Sequence, residues 1–293
     1  MERVHVPATL ANLGSGFDAL GVALGLYLEA EAEPAERDRF HYAGEGYVPD
    51  RPDNLVHQAF RAAFARAGRP ARAVEIRVFN PIPLARGMGS SAAARVAGAA
   101  LADRMLGGAL GLEGIFEVAT ALEGHPDNVA PAVFGGFQLA LGDPPLHLEL
   151  PRPAGLRFVV AVPDRPVPTD EARAALPERV PHTDARFNLA RAALWPAALA
   201  AGRLDLLAEA ARDRLHQPYR LGLMPGAAEA IEAALAAGAL AAFVGGAGPT
   251  VAALVEASPP AIQEVSRSLA GYAGPEGRLQ VLNIGEGVTW KAT

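Results

Sequence analysis

Cysteine is absent from the 293 residues, which excludes disulfides, thiolate catalysis, Cys-ligated zinc and iron–sulfur clusters. Lysine is almost absent: Lys291 is the only one, and the rest of the 26 basic residues are arginines. P-loop NTPases and protein kinases place an internal lysine at the nucleotide phosphates, and Schiff-base enzymes place one at a carbonyl, so these classes are excluded too. No uncharged apolar run is long enough to span a bilayer, and Met1-Glu2-Arg3-Val4-His5 lacks the basic and apolar regions of a signal peptide. The expectation is a cytoplasmic protein that binds no membrane. A net charge of −6 argues against nucleic acid as a partner. The 31 glycines and 25 prolines are dispersed, which excludes a low-complexity or collagen-like chain.

What is present is 51% hydrophobic and 20% charged, enough apolar sequence for a two-lobed globular protein. Strand character is expected at Arg3–Pro7, Leu20–Glu31, Val74–Phe79, Val133–Leu141, Leu146–Leu150 and Leu156–Val162. Helices are expected at Asn54–Gly68, Ser90–Leu106 and Leu112–Leu122. In the second half, helices near Thr169–Leu176, Asp184–Ala201, Leu204–Arg214, Gly226–Ala237 and Pro260–Ala270 mix with strands at Ala239–Val244, Thr250–Val255 and Leu279–Ile284. The order predicts an α+β fold with mainly antiparallel sheets. The Pro-Arg-Pro-Ala-Gly stretch at Pro151–Gly155 marks the expected boundary between lobes 1–152 and 153–293.

Four stretches can carry chemistry. In Pro81–Ala94, Gly87 and Gly89 let the backbone approach a ligand, and Ser90-Ser91 open a helix whose free N–H groups suit an anion. The serine hydroxyls can cap that helix, bind phosphate or ligate Mg²⁺. Pro7–Gly21 is a polar loop offering Asn12 and Asp18 to amino or hydroxyl groups, though such residues also make turns for their own sake. Glu117, on an expected helix, is either a Mg²⁺ ligand or part of a solvated face. It precedes Glu123-Gly124-His125-Pro126-Asp127-Asn128, where His125 and Asp127 are both candidate bases by residue type. Gly245–Thr250 is a glycine turn between two strands, and Thr169, Arg173 and Arg220 are candidates for holding a carboxylate.

Taken together, Val6–Asp18, Pro83–Ala93, Gly124–Pro131 and Gly246–Thr250 resemble the motifs of the GHMP kinases, and cover nearly the whole chain. The resemblance, strongest to the branch acting on homoserine, implies an N-terminal lobe like the second domain of ribosomal protein S5 and a C-terminal ferredoxin-like lobe. It implies transfer of the ATP γ-phosphoryl group to the side-chain hydroxyl of L-homoserine, a step of threonine biosynthesis. By motif position, Pro83, Leu84, Ala85, Arg86, Gly87, Met88, Gly89, Ser90, Ser91, Ala92 and Ala93 form the phosphate loop, with Ser91 and Glu117 at Mg²⁺. Asn12, Asp18, His125, Asn128, Thr169, Arg173 and Arg220 surround the substrate, with Asn128, Arg173 and Glu117 as the catalytic set. A homodimer is a further expectation from the family. Asn128 stands where other GHMP kinases have an aspartate, so catalysis without a protein base is expected. Thr9-Leu10 and Gly245 depart from positions where the family often has hydroxyls. The rival readings are a GHMP kinase for mevalonate or shikimate, a non-catalytic nucleotide-binding protein, and an NAD-dependent oxidoreductase. The last lacks the strand–GxGxxG–helix context.

Overall fold

The structure, a computed structural model, describes residues 2–51 and 53–291. Among the described residues the first sheet has seven strands. It is built on β1 (Glu2–Ala11) and β2 (Leu20–Pro34), with β3 (Arg39–Gly44), β4 (Val74–Asn80), β5 (Phe137–Gly142) and β6 (Pro145–Leu150). Strand β2 alternates Leu28, Ala30 and Ala32, buried, with Glu29, Glu31 and Glu33, the period of a sheet with one covered face. One of its edges pairs with β1, and the other is shared between β5 at Leu20–Val22 and β4 at Glu29–Pro34. Helices α1 (Leu55–Arg66), α2 (Ser90–Met105), α3 (Gly111–Glu123) and α4 (Val129–Phe134) belong to this lobe. Asn54 caps α1, its Oδ1 accepting from the N–H groups of Val56 and His57. The small residues of α2 let it lie close against α1: a Cβ on Gly98 would run into the Val56 carbonyl.

The second lobe is β7 (Leu156–Val162), α5 (Thr169–Ala174), α6 (His182–Ala201), α7 (Leu207–Ala210), α8 (Gln217–Arg220), α9 (Ala227–Ala236), β8 (Ala241–Val244), β9 (Val251–Glu256), α10 (Pro259–Ala273) and β10 (Arg278–Asn283). Its four strands are ordered β10-β7-β9-β8 and every pair is antiparallel, the ferredoxin-like arrangement. Strands β7, β8 and β9 of this sheet are buried on both faces. Phe158, Phe243 and Leu254 join the core of the first lobe, while Val159, Ala161, Val244 and Val255 pack with residues of α9 and α10. The last strand, β11 (Thr289–Lys291), then returns to pair with β1, so the division at 152 and 153 puts it in a different lobe from the sheet it joins.

Other departures from the sequence reading have local causes. Val129–Phe134 is helix, and strand begins only at Phe137, because Gly135 and Gly136 take positive φ between them. The expected helix Leu204–Arg214 is a 3₁₀ turn followed by α7, which stops at Ala210. Beyond it the Asp213 carboxylate accepts the N–H groups of Leu215, His216 and Gln217, a side-chain bond that competes with helix. Strands β3 and β11 were not anticipated. Among the described residues no helix is long and apolar enough to cross a membrane.

Trp195 on α6 joins the lobes. It is fully buried, its ring lies 6.4 Å from Phe137 and 6.3 Å from Phe243, and its Nε1 donates to the Leu13 carbonyl at 2.9 Å. Trp195→Ala is expected to cost about 3–5 kcal/mol in urea unfolding, and Trp195→Phe less, since only the hydrogen bond and part of the ring are lost. His57 and His216 are also fully buried, and burial pushes both below the ordinary value of 6.5. The unfolded chain therefore takes up protons that the folded chain refuses. Stability is full above about pH 6.5 and falls below it until each histidine's lowered folded-state value is passed. Urea midpoints between pH 8 and pH 5 should fall with pH, and His57→Leu should reduce the slope.

Candidate active site

The two lobes enclose a cavity of about 390 Å³ lined from Pro83 to Ser91, by β3 and the start of α1, and by residues of the second lobe. Its floor is the turn between β4 and α2. Ala85, Gly87 and Gly89 take φ of 52°, 75° and 68°, the left-handed region that favours glycine. Both glycines are also required by space: a Cβ on Gly87 would meet the Gly245 carbonyl, and one on Gly89 would meet the Thr9 hydroxyl. The turn is held from three sides. Thr9 N–H donates to the Met88 carbonyl at 3.1 Å, Thr250 N–H to that of Arg86 at 3.3 Å, and Val167 N–H to that of Ala85 at 3.3 Å. Arg86 lines the cavity, and its guanidinium is engaged by carbonyls. Its Nε donates to the Pro163 carbonyl at 2.9 Å and its Nη1 to that of Leu84 at 3.1 Å, fastening the turn to the second lobe.

The α2 cap is Gly89 itself, with no side-chain hydrogen bond, so neither serine serves as the cap. Ser90 Oγ accepts from Asn80 Nδ2 at 3.0 Å. Ser91 Oγ donates to Glu123 Oε1 at 2.6 Å. Ala92 and Ala93, expected in the nucleotide block, are fully buried in the first turn of α2 and do not line the cavity.

The carboxylate beside Ser91 is thus Glu123, and Glu117 is corrected as a metal and catalytic residue. Six positions apart on α3, the two differ by about 120° around the helix. Glu117 points outward, accepting from Arg66 Nη2 at 2.6 Å and Nε at 3.2 Å. Glu123, its side chain 7% exposed, is ion-paired with Arg95, which burial pushes below its ordinary pKa. A signal for Glu123 did exist in the sequence: an acid in the last helical position opposes the helix dipole and needs a partner.

The expected substrate residues do converge. Asp18 takes Arg173 in a two-point ion pair, 3.1 Å from Nη2 to Oδ1 and 3.3 Å from Nη1 to Oδ2. Asp18, His125 and Asp127 bring one ligating atom each within 4.8 Å of one another. His125 Nδ1 lies 2.7 Å from Asp127 Oδ1, which also accepts Asn128 N–H at 2.9 Å. Thr169, Arg173 and Arg220 line the same cavity. Asn12, with φ 73°, lines it too, but both ends of its amide are used by the fold. Nδ2 donates to the Gly246 carbonyl at 2.9 Å, and Oδ1 accepts Asp18 N–H at 3.0 Å. Thr9, treated in the sequence only as a departure, donates from Oγ1 to Asn128 Oδ1 at 2.7 Å. Among the described residues this leaves the Asn128 Nδ2 group without a protein partner.

The chain matches two family descriptions, "GHMP kinases N terminal domain" over residues 54–136 and "GHMP kinases C terminal" over 197–272. It is 65% identical over 293 residues to the homoserine kinase of Thermus thermophilus, covering 100% of this chain and 99% of that one. To the homoserine kinase of Moorella thermoacetica it is 45% identical over 266 residues, 89% of this chain and 90% of the relative. The crystal structure of homoserine kinase from Cytophaga hutchinsonii superimposes with a TM-score of 0.90 at 28% identity, covering 99% of this chain and 97% of the other. Mevalonate kinase of L. major, with a TM-score of 0.73 at 16% identity over 96% and 95% of the two chains, shares the fold. With both domain descriptions matched and relatives this similar along its whole length, the chain belongs to the GHMP kinase family.

Proposed function

We propose that this kinase transfers the γ-phosphoryl group of ATP to the side-chain hydroxyl of L-homoserine, giving O-phospho-L-homoserine on the route to threonine. The observation that carries the substrate reading is charge of both signs beside the phosphate turn. Asp18 is paired with Arg173, and Arg220 lines the same cavity. A zwitterionic amino acid satisfies such a site, its ammonium taken by Asp18 and its carboxylate by the two arginines. Mevalonate and shikimate carry a carboxylate but no ammonium. The high identity to homoserine kinases supports the same reading.

The phosphates are taken by the backbone N–H groups of the turn and the start of α2, a cradle that needs no lysine. Phe40, Val48 and Val56 offer an apolar wall for the base in the same cavity. Ser91 Oγ and Glu123 Oε1, 2.6 Å apart, are hard oxygen donors of the kind Mg²⁺ prefers, and these two residues would hold it. When bound there, Mg²⁺ would supply positive charge to offset that of the nucleotide phosphates.

The substrate oxygen attacks the γ-phosphorus as the bond to the bridging oxygen breaks, releasing ADP. Asn128 aids this as a donor: Thr9 occupies Oδ1, so Nδ2 is the end that orients the hydroxyl, and no proton is accepted there. Asp18 is paired with Arg173 and Asp127 is held by His125 and backbone. On this reading the proton passes to a γ-phosphate oxygen, and the protein contributes positioning and charge.

Coupled assays of ADP release should give turnover with homoserine and background rates with mevalonate or shikimate. No release above background with homoserine overturns the assignment. Glu123→Gln should lower kcat by about 100-fold or more and raise the Mg²⁺ requirement, while Glu117→Gln stays within about twofold of the parent. Asn128→Ala should raise the homoserine KM. Abolished turnover at unchanged KM, restored by Asn128→Asp, would instead reveal a protein base.

A further inference from the structure

We infer that His216 is a positioning residue for the substrate carboxylate: a buried, uncharged acceptor that holds the Arg220 guanidinium in place without neutralising it. This rests on the reading of Arg220 as a carboxylate ligand.

His216 and Arg220 bracket α8, four residues apart and so on one face. His216 Nε2 lies 2.8 Å from the Gly14 carbonyl. A carbonyl only accepts, so Nε2 carries the proton and Nδ1 presents its lone pair. Arg220 Nη1 donates to that lone pair at 3.2 Å. The same Nη1 reaches the Gly246 carbonyl at 3.3 Å, and Nε donates to the Ala172 carbonyl at 3.1 Å. Among the described residues, Nη2 alone has no hydrogen-bond partner, and Arg220 lines the cavity.

Phe17 completes the assembly. Its ring stacks on His216 with centroids 5.1 Å apart and planes 20° apart, and the Arg220 guanidinium lies 5.3 Å over its centroid. Phe17 adjoins Asp18 in the chain, so one stack sets both the cationic and the anionic side of the substrate site. Asp213 lies 3.5 Å from His216 Nε2, but it is spent on the N–H groups of His216 and Gln217 and on Asn188.

The chemistry of the position is restrictive. The residue must donate to the Gly14 loop and accept from a guanidinium at once, which neutral imidazole does. A carboxylate in its place would accept as well, but it would form an ion pair with Arg220 and compete with the substrate for the charge. Burial keeps His216 neutral, which avoids a second cation against Arg220.

The test compares L-homoserine with 3-aminopropan-1-ol, which keeps the amine and hydroxyl but lacks the carboxylate, as substrate or competitive inhibitor. His216→Phe preserves the stack on Phe17 and removes both polar contacts. Its homoserine KM should rise by about 10- to 100-fold, the scale of a lost hydrogen bond to a charged group. The KM for ATP and the affinity for 3-aminopropan-1-ol should stay within about threefold of the parent. His216→Gln, an amide that can donate and accept, should recover most of the homoserine KM. Equal loss on both ligands, or an unchanged homoserine KM, overturns the proposal. Arg220→Met tests the underlying reading separately: if it leaves the preference for homoserine over the amino alcohol unchanged, Arg220 is not the carboxylate ligand. If His216→Phe does not fold, His216→Asn takes its place, with the same two outcomes deciding.

Discussion

The candidate site depends first on how closely the turn before α2 is approached at Gly87 by backbone and at Gly89 by the Thr9 side chain. The turn that precedes α2 runs against the Gly245–Thr250 hairpin on one side and Thr9 of β1 on the other, with no room for a Cβ at either glycine. Backbone hydrogen bonds from Thr9, Val167 and Thr250 lock it there. That contact holds the turn at the cavity and puts the second lobe against the first. On the proposed reading, oriented amides and a helix N-terminus supply the positive potential that a chain with a single lysine cannot take from lysine.

The same approach is supported from behind by a core the lobes share. Phe158 and Phe243 of the second sheet sit in one cluster with Phe137 and Trp195, so the cavity walls are joined by packed side chains. Trp195 reaches across to the Leu13 carbonyl, inside the loop that carries Phe17 and Asp18. The residues of that loop are held in place at several points: Asn12 by Gly246, Ser15 by Ala210, Gly14 by His216. Positive φ at Asn12, Leu13 and Asp18 is sustained by this surrounding structure rather than by the loop itself.

Much of the fold was legible because its signals are local. The alternation in β2, the glycine and serine run opening α2, and the continuous apolar run of β7 each report their own element. Asp18, Arg173 and Arg220 were also readable as residue types suited to an amino acid. Elements whose identity depends on distant partners were not readable. Strand β11 is three residues long and exists by pairing with β1, and the helix expected through Arg214 is broken by a carboxylate that accepts from residues beyond it.

The amino-acid sequence by itself determined the chemistry on offer: a glycine turn opening a helix in a chain with one lysine and no cysteine, and side chains of both charges. Which residues act together was decided only in three dimensions. Glu117 and Glu123 are equivalent as letters, yet the helix turns one toward Arg66 and the other toward Ser91 and Arg95. Thr9 meets Asn128 across 119 positions, and His216 meets Gly14 across 202. Contacts of that span leave no local periodicity or spacing to read, because they arise from packing whole elements rather than from the propensity of any one segment.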